Sequence, residues 1–395
     1  MLRFLASGES HGKGLVGLIE GMPSGIEIYE DCINMELQRR QKGYGRGGRM
    51  NIESDAIEII SGVRNNLTMG SPISFLIRNR DYENWQEIMN SGECSRIDDR
   101  KVVRPRPGHA DLAGAMKYRQ EDMRNILERA SARETAVRVA AGAFFKALLK
   151  IFDIYIYSEL ISLGDLFSEG WHPSREDLPD FYALVEKSPL RCTDRNMEKE
   201  MMVLVDKARE GGESLGGSFE LGAVGVPPGL GSHVSWDRKL DAQIASLLMS
   251  IPAIKAVEIG EGIANARTPG SGVHDEIFYT KAQGLCRQTN RAGGIEGGIS
   301  NGETIWARAY MKPIPTLYKP LSSVNTNSWQ EEKADVERSD ICAVPAAAVV
   351  GEAMLAYGIA RAFMYKFSGD SVEEIKSAYD SNQKYLKKVW QWQKI

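Results

Sequence analysis

Two histidines stand in short glycine-bounded turns, where a side chain reaches a cleft more readily than a core. His11 follows Ser10 in the sequence GESHG, which comes directly after an apolar run that predicts a strand. His109 follows Pro107 and Gly108 and precedes a run typical of a helix. Histidine side chains donate and accept protons near neutral pH. The two turns therefore indicate proton transfer, with a structural turn histidine as the alternative for His11.

A dense basic loop lies between the two histidines, in the sequence RRQKGYGRGGRM. Its cations are Arg39, Arg40, Lys42, Arg46 and Arg49, and it contains no acidic residue. Arginine forms bidentate, charge-assisted hydrogen bonds with carboxylate and phosphate groups, so we expect the loop to close over such an anion. A solvated surface loop and an RNA contact are the alternatives.

Two formal motif matches predict nothing here. Gly43, Gly45 and Gly48 spell G-x-G-x-x-G, but a helix precedes them and a strand-like run follows. That order is the reverse of a dinucleotide-binding turn. GESHG also matches the G-x-S-x-G nucleophile elbow, yet Ser10 lies too near the N-terminus for the sheet strands which that fold places before the elbow.

A third candidate site begins at Ser131. Ser131 followed by Glu134 predicts a capping box and the start of a helix. Arg129 and Arg133 flank this helix start, and the free N–H groups at a helix N-terminus attract anions. Ser131 acting only as a cap is the alternative.

The elements that must position these residues are short strands and amphipathic helices. Strand-like pieces alternate with turns from Leu2 to about Arg80, interrupted by a polar helix at about Asp31 to Lys42. A helix from Ser131 leads into a strand over Ile154 to Ile161. A second helix, Asp237 to Met249, is also followed by a strand, and this repeated order hints at duplicated halves.

The C-terminal part predicts two further helices. A small-residue helix entered near Pro345 is typical of close packing in a core or between subunits. The tail from Ser371 onward indicates a charged helix that is solvated or docked. The region 164–213 indicates no chemistry, and we expect His172 at the surface.

Composition excludes several classes of protein. The chain has 395 residues, 43% hydrophobic and 26% charged, with a net charge of −4, so any basic patch must be local. No apolar run approaches the ~18 residues of a membrane span, and we expect no signal or transit peptide. Five scattered cysteines without a C-x-x-C motif indicate free thiols in a reducing cytosol. No histidine has partners at metal-ligand spacing, and we expect no metal.

Together these motifs resemble the chorismate synthase family. The matching segments cover nearly the whole chain in order, as GESHG, RRQKGYGRGGRM, RPGHADLAGAMKY, RASARETAVRVAAG, SIPAIKAVEIG, NRAGGIEGGISNG, KPIPT and RSDICAVPAAAVVGEAM. The insert around Glu169 to Glu210 and the tail match poorly, and nothing is carried over to them.

The resemblance implies an α+β fold. In this β-α-β sandwich, a helical layer lies between two antiparallel sheets that come from duplicated halves. It also implies a single domain over residues 1–395 with a C-terminal helical tail at 371–395, a homotetramer, and a cytoplasmic location.

The implied reaction is the anti-1,4-elimination of phosphate from 5-enolpyruvylshikimate 3-phosphate, which gives chorismate in the last common step of aromatic amino acid biosynthesis. It requires reduced FMN without net redox change. The resemblance implies that His11, with Ser10 beside it, protonates the departing phosphate. It implies that His109 lies at the reduced flavin and that Asp340 acts with flavin N5 in removing the ring hydrogen.

The resemblance also implies binding residues. Those for FMN are Arg129, Ala130, Ser131, Pro252, Ala253, Gly297, Lys312, Pro313, Ile314, Pro315, Thr316 and Arg338. Those for the substrate or NADP are Arg40, Arg46, Arg49 and Arg133. The sequence leaves open whether the chain reduces its own flavin with NADPH. Two alternatives remain, namely a flavoprotein of the same fold in true redox chemistry and an RNA-binding protein that uses the basic loop. The acidic overall balance counts against the second.

Overall fold

The computed structural model describes residues 1–47, 54–281, 284–337 and 339–393. The α-helices are α1 Glu30–Gln41, α2 Gln86–Met89, α3 Asp111–Tyr118, α4 Arg124–Ala130, α5 Thr135–Lys150, α6 Leu178–Val185, α7 Arg195–Gly211, α8 Leu240–Met249, α9 Gly270–Val273, α10 Val344–Lys366 and α11 Val372–Trp390. Short 3-10 turns lie at Arg80–Asn84, Ile97–Arg100, Ala132–Glu134, Trp236–Arg238 and Asn265–Arg267.

The strands are β1 Arg3–Ser7, β2 Gly14–Glu20, β3 Ile57–Ser61, β4 Val63–Arg64, β5 Leu67–Thr68, β6 Ile73–Arg78, β7 Tyr155–Leu163, β8 Leu166–Phe167, β9 Gly217–Val224, β10 Ile254–Ile259, β11 Ile277–Thr280, β12 Gly284–Arg287, β13 Ile295–Glu296, β14 Ile299–Ser300, β15 Ile305–Met311, β16 Ser322–Asn325 and β17 Gln330–Lys333.

Two antiparallel sheets form the outer layers. The first has the order β1-β2-β6-β3 and the second the order β10-β15-β9-β7-β8. Buried and exposed side chains alternate along β2, since Leu15 and Ile19 are buried while Val16 and Leu18 are exposed. The first sheet therefore has one covered face and one open face. The buried face turns toward the helices, and the expected strands of the N-terminal part are confirmed.

A layer of helices fills the space between the sheets. α1 and α5 pack on the first sheet, α8 and α10 pack on the second, and α5 contacts α10. The crossing of α5 and α10 is tight, since a Cβ on Gly142 would lie only 2.3 Å from the Cβ of Ala353. The expected β-α-β sandwich is thereby confirmed.

The two sheets repeat one connection order. In the first half the chain runs β1, β2, α1, β3, β6 and then α5. In the second half it runs β7, β9, α8, β10, β15 and then α10. In both sheets the fourth of these strands lies between the second and the third, and β8 is an addition at one edge. The duplicated halves are therefore visible in the topology as well as in the repeated helix-strand order.

The helix expected near Pro345 is α10, and it lies at the centre of the molecule. The expectation that no apolar run approaches the length of a membrane span is wrong for α10, which alone within the described ranges is long and apolar enough by length and composition. In the fold, 83% of its apolar window is buried. It packs against β7, β9, α5 and α8. Burial inside the sandwich therefore accounts for its apolar composition.

The capping box expected at Ser131 is wrong, although a helix does start there. The Oγ of Ser131 accepts a hydrogen bond from the backbone N–H of Arg133 at 3.3 Å, which begins a 3-10 turn ahead of α5. The carboxylate of Glu134 does not reach back to Ser131, because it pairs with Arg138 one helical turn later at 2.9 Å.

The expected helix of the tail is present, and the insert keeps its histidine at the surface. The tail helix is α11, which begins with a reciprocal capping box of Ser371 and Glu374. Beyond its C-terminal end, Trp392 packs against Gly302 and is 7% exposed. The side chain of His172, expected at the surface, is 48% exposed, and its Nδ1 lies 3.0 Å from a carboxylate oxygen of the fully buried Glu220.

Candidate active site

The GESHG turn begins where β1 ends, and its backbone requires a glycine. Gly8 has a φ of +106°, and a Cβ there would lie 2.4 Å from the carbonyl oxygen of Gly14. The turn carries Ser10 into a buried position, where its backbone N–H donates to the carbonyl of Glu128 at 3.0 Å. Ser10 therefore lies directly against α4.

His11 is held by a buried carboxylate. Its backbone N–H donates to Oε2 of Glu128 at 2.8 Å, and its ring Nδ1 lies 2.9 Å from Oε1 of the same residue. Burial raises the pKa of Glu128, but hydrogen bonds from His11 and the charge of Arg124 outweigh burial, and the net pKa is lowered. An ionised carboxylate at Nδ1 favours the tautomer with its proton there and leaves Nε2 for a ligand.

Three arginines lie together near this turn, of which Arg40 and Arg133 are buried and the side chain of Arg46 is 11% exposed. Burial lowers the pKa of Arg40 to about 10, and the charges of Arg133 and Arg46 act in the same direction. The carboxylate of Asp55 opposes this shift only in part. The Nε of Arg40 is buried and has no hydrogen-bond partner among the residues that the structure describes. A site with this excess of buried positive charge is suited to bind an anion.

Asn79, at the end of β6, joins the arginines to the histidine turn. Its amide donates to the carbonyls of Glu9 and Gly12 at 3.0 and 2.8 Å. Its Oδ1 accepts from Nε of Arg133 at 3.0 Å, and Arg133 also pairs with the buried Asp55. The turn and the arginine cluster therefore form one site.

Asp340 reaches this site from the second half of the chain. Its Oδ1 accepts from the backbone N–H of Gly47 at 2.7 Å, and its Oδ2 lies 3.4 Å from Nη1 of Arg46. This contact holds the described part of the basic loop against the segment before α10. Arg49 and Arg338, which were also expected here, lie outside the described residues.

The second histidine has its own carboxylate. Nδ1 of His109 lies 2.6 Å from Asp111, the first residue of α3, and Arg106 pairs with the same carboxylate at 2.9 Å. Burial raises the pKa of Asp111, but hydrogen bonds from His109 and Arg106 outweigh it, and the net pKa is lowered. The side chain of His109 is 15% exposed. Its remaining ring nitrogen is therefore available to a bound molecule.

The segment from Lys312 to Thr316 lies beside His109. The Oγ1 of Thr316 accepts from Arg106 at 2.9 Å, and the ammonium of Lys312 donates to the carbonyl of Gly108 at 2.5 Å. The backbone N–H of Lys312 donates to the carbonyl of Ala253 at 3.0 Å, and Ala253 has a φ of +69°. These contacts bring two of the expected FMN-binding stretches to the His109 turn.

The remaining FMN candidates lie partly elsewhere. The Oγ atoms of Ser10 and Ser131 are 3.1 Å apart, and Arg129 donates to the carbonyl of Gly8, so Arg129 to Ser131 border the His11 turn. Pro252 lies close to the start of α5, because Arg138 donates to Ser250 at 2.8 Å. Gly297 stands on the β13–β14 hairpin, and no described contact joins it to either histidine.

Sequence patterns alone do not single out four residues of this site. Asp111 offers a usable signal, because it follows His109 by two residues and opens a helix. Glu128, Asn79 and Asp55 offer none, since each acts through a partner that is distant in the sequence. Only the fold brings them together.

Comparison with known proteins shows the family of this chain. The family model for chorismate synthase matches residues 2–364. The chorismate synthase of Syntrophomonas wolfei is 67% identical over 395 residues, covering 100% of both chains. That of Geotalea uraniireducens is 55% identical over 396 residues, covering 98% of this chain and 100% of the relative. A crystal structure of a chorismate synthase superposes with a TM-score of 0.79 and 43% identity, covering 98% of each chain. The chain belongs to the chorismate synthase family.

Proposed function

We propose that this chain converts 5-enolpyruvylshikimate 3-phosphate into chorismate by anti-1,4-elimination of phosphate, as a carbon–oxygen lyase of aromatic amino acid biosynthesis. The observation that carries the proposal is the buried guanidinium of Arg40, whose Nε has no hydrogen-bond partner among the described residues and which lies among other cations next to the His11 turn. A substrate with one phosphate and two carboxylates supplies the negative charge that this cluster lacks.

The arginines would bind the anionic groups of the substrate. Arg40, Arg46 and Arg133 offer guanidinium groups from α1, the basic loop and the start of α5. Arg49, in the same loop, is inferred to join them. Bidentate bonds from arginine fix the orientation of a phosphate as well as its affinity, so the leaving group would be held in one position.

His11 and Asp340 would carry out the two proton transfers of the elimination. We infer that His11 acts as an imidazolium whose Nδ1–H is held by Glu128, with Ser10 beside it. It gives its Nε2 proton to the departing phosphate, which leaves the neutral ring with its remaining proton on Nδ1. The carboxylate of Asp340 would receive the ring proton, supported by its contacts with Gly47 and Arg46. A positioned acid or base contributes on the order of 10²–10⁴ in rate.

Reduced FMN is the cofactor that the family implies, and the surroundings of His109 suit it. Burial and the charge of Lys255 lower the pKa of Lys312. Neither lysine forms an ion pair with a described carboxylate, so an anionic flavin group would find positive charge here. When bound, reduced FMN supplies electron density to the elimination without net redox change. The residues inferred to hold it are His109, Arg129, Ala130, Ser131, Pro252, Ala253, Gly297, Lys312, Pro313, Ile314, Pro315, Thr316 and Arg338.

Assembly, location and flavin reduction complete the proposal. We infer a single functional domain over residues 1–395 in a cytoplasmic homotetramer. The outer face of the first sheet supports the assembly, since Leu5, Val16 and Leu18 are 58%, 42% and 38% exposed on adjacent strands. NADPH would serve as the reductant of FMN only if this chain binds it at Arg40 and Arg46.

The test is an oxygen-free assay with dithionite-reduced FMN and 5-enolpyruvylshikimate 3-phosphate, following chorismate absorbance and phosphate release. We expect many turnovers per flavin. Stoichiometric oxidation of flavin would instead favour a redox flavoprotein of the same fold. Nucleic acid that co-purifies and dissociates steeply with salt would favour the RNA-binding alternative. Folded, flavin-binding protein that yields no product would overturn the proposal.

A further inference from the structure

The indole of Trp85 lies flat on the imidazole of His11. The two ring centroids are 4.0 Å apart and the ring planes differ by 27°. Trp85 comes from the 3-10 and helical turns that follow β6, whereas His11 comes from the turn after β1. The contact therefore joins the proton-transfer histidine to a segment that takes no part in either sheet.

The segment that carries Trp85 has no core of its own. From Arg80 to Lys101 no residue is buried. Trp85 is nevertheless half-buried, and the guanidinium carbons of Arg100 and Arg124 lie 5.4 and 5.2 Å from the centroid of its ring. The indole is thus the aromatic group with which this exposed segment reaches the site.

The hydrogen bonds of His11 leave one degree of freedom open. Glu128 fixes the backbone N–H and the Nδ1 edge of the ring. A terminal sp³–sp² torsion such as that of histidine is broad, so a bond at one edge restrains the tilt of the ring poorly. A flat aromatic surface against one face restrains that tilt and keeps water from the same face.

We propose that Trp85 is a positioning residue for His11, which fixes the ring plane so that Nε2 points steadily at the leaving group. This rests on the proposed function, in which His11 is the proton donor. Arg124 couples the two restraints, because it lies over the indole and also pairs with Glu128 at 3.3 Å. Proton transfer depends steeply on alignment, so loss of the stack should act on the chemical step more than on substrate binding.

The kinetic test compares Trp85→Leu, which removes the flat surface, with Trp85→Phe, which keeps one. We expect Trp85→Leu to lower kcat roughly tenfold and to change KM by no more than about twofold. A tenfold loss of kcat is about what one aromatic contact contributes when it acts in the transition state alone. Trp85→Phe should restore most of kcat. Trp329→Leu is the control, since Trp329 is 78% exposed and no described side-chain contact joins it to His11. A rise in KM at unchanged kcat, or equal kcat in all variants, would overturn the proposal.

A spectroscopic test does not depend on activity or on the Leu variant folding. The emission of wild type minus that of Trp85→Phe reports on Trp85, and a stacked imidazole quenches it. We expect this difference to brighten in a His11→Ala background and to stay unchanged in a His172→Ala background, where the ring beside Trp306 is lost instead. No response to His11→Ala would refute the stack. If Trp85 emission rises in the His11→Ala background but the wild type forms no chorismate, the stack is supported and only the proposed function is refuted.

Discussion

The two histidines of the site have the same set of neighbouring groups. In each case a buried carboxylate lies at Nδ1, Glu128 for His11 and Asp111 for His109. In each case an arginine pairs with that carboxylate, at 3.3 Å for Arg124 and 2.9 Å for Arg106. The hydrogen bond from the histidine, together with the arginine, keeps the carboxylate ionised although burial disfavours its charge. The carboxylate holds a proton on Nδ1 of each imidazole and leaves Nε2 to face a bound molecule.

The carboxylate at His11 can be tested by Glu128→Gln, which keeps the size of the side chain and removes its charge. We expect kcat to fall roughly tenfold to a hundredfold, because the amide no longer enforces the proton on Nδ1. Chorismate formation with reduced FMN measures this. Glu20→Gln is the matched control, since Glu20 forms an ion pair at the surface. Unchanged kcat in Glu128→Gln would show that the carboxylate serves folding only.

The buried cation at the centre of the cluster can be tested by Arg40→Gln. We expect KM for the substrate to rise tenfold or more, since a charge-assisted hydrogen bond contributes about 1.5–3 kcal/mol. The melting temperature should stay the same or rise, because removal of an incompletely compensated buried charge relieves a desolvation cost. Arg3→Gln, at a surface ion pair, is the control. A lower melting temperature with unchanged KM would contradict the anion-binding role.

At the scale of elements, sequence patterns predict what is local. Leu15 and Ile19 alternate with exposed neighbours and so define a strand, and the predicted helix at about Asp31 to Lys42 agrees with α1 to within one or two residues. The capping box at Ser131 fails because Arg138 attracts the carboxylate of Glu134. Contacts such as Asn79 with Arg133 join residues 54 positions apart, and no local pattern encodes them.

The pairing of β7 with β9 gives a prediction for the dependence of stability on pH. Glu159 and Glu220 face each other across these strands, and burial raises the pKa of each to about 7. The folded state therefore binds protons that the unfolded chain has already released. Stability should fall as pH rises from about 4.5 to about 7, by about 1.4 kcal/mol per pH unit for each proton.

Denaturant unfolding of Glu159→Gln at several pH values measures this. In this variant the free energy of unfolding should depend less steeply on pH, by the contribution of one proton. The variant should still fold, because a glutamine can accept from the backbone of Trp171 and bond to Thr193. Glu58→Gln, at a surface ion pair, should keep the full slope. Equal slopes in wild type and Glu159→Gln would show that Glu159 is ionised throughout the range.

At the scale of the whole molecule, the two duplicated halves contribute different residues to one site. The first half supplies His11, Arg40 and Glu128, whereas Asp340 and Lys312 come from the second half. The contacts of Asp340 with Gly47 and Arg46 cross from one half to the other. The site therefore lies at the junction of the halves, and its geometry depends on how closely they pack.

The two halves pack closely where Gly142 of α5 meets Ala353 of α10. A methyl group on Gly142 would lie 2.3 Å from the Cβ of Ala353, so Gly142→Ala must push the two helices apart. Helix propensity alone would stabilise this substitution by about 1 kcal/mol. We expect instead a net loss of about 1–3 kcal/mol from overpacking, measured by denaturant unfolding. Gly211→Ala in α7, where the nearest atom lies at 3.8 Å, should be neutral or stabilising.

The double variant Gly142→Ala with Ala353→Gly decides the cause. It exchanges the methyl group between the helices and should recover most of the lost stability, because the steric conflict is removed while the volume at the crossing is kept. Chorismate formation should recover with it, since the same crossing sets the position of Asp340 ahead of α10 relative to the arginines. Additive losses in the double variant would show that the two positions do not interact, so that a steric conflict between them is not the cause. Stability that recovers without chorismate formation would show that this crossing does not control the site.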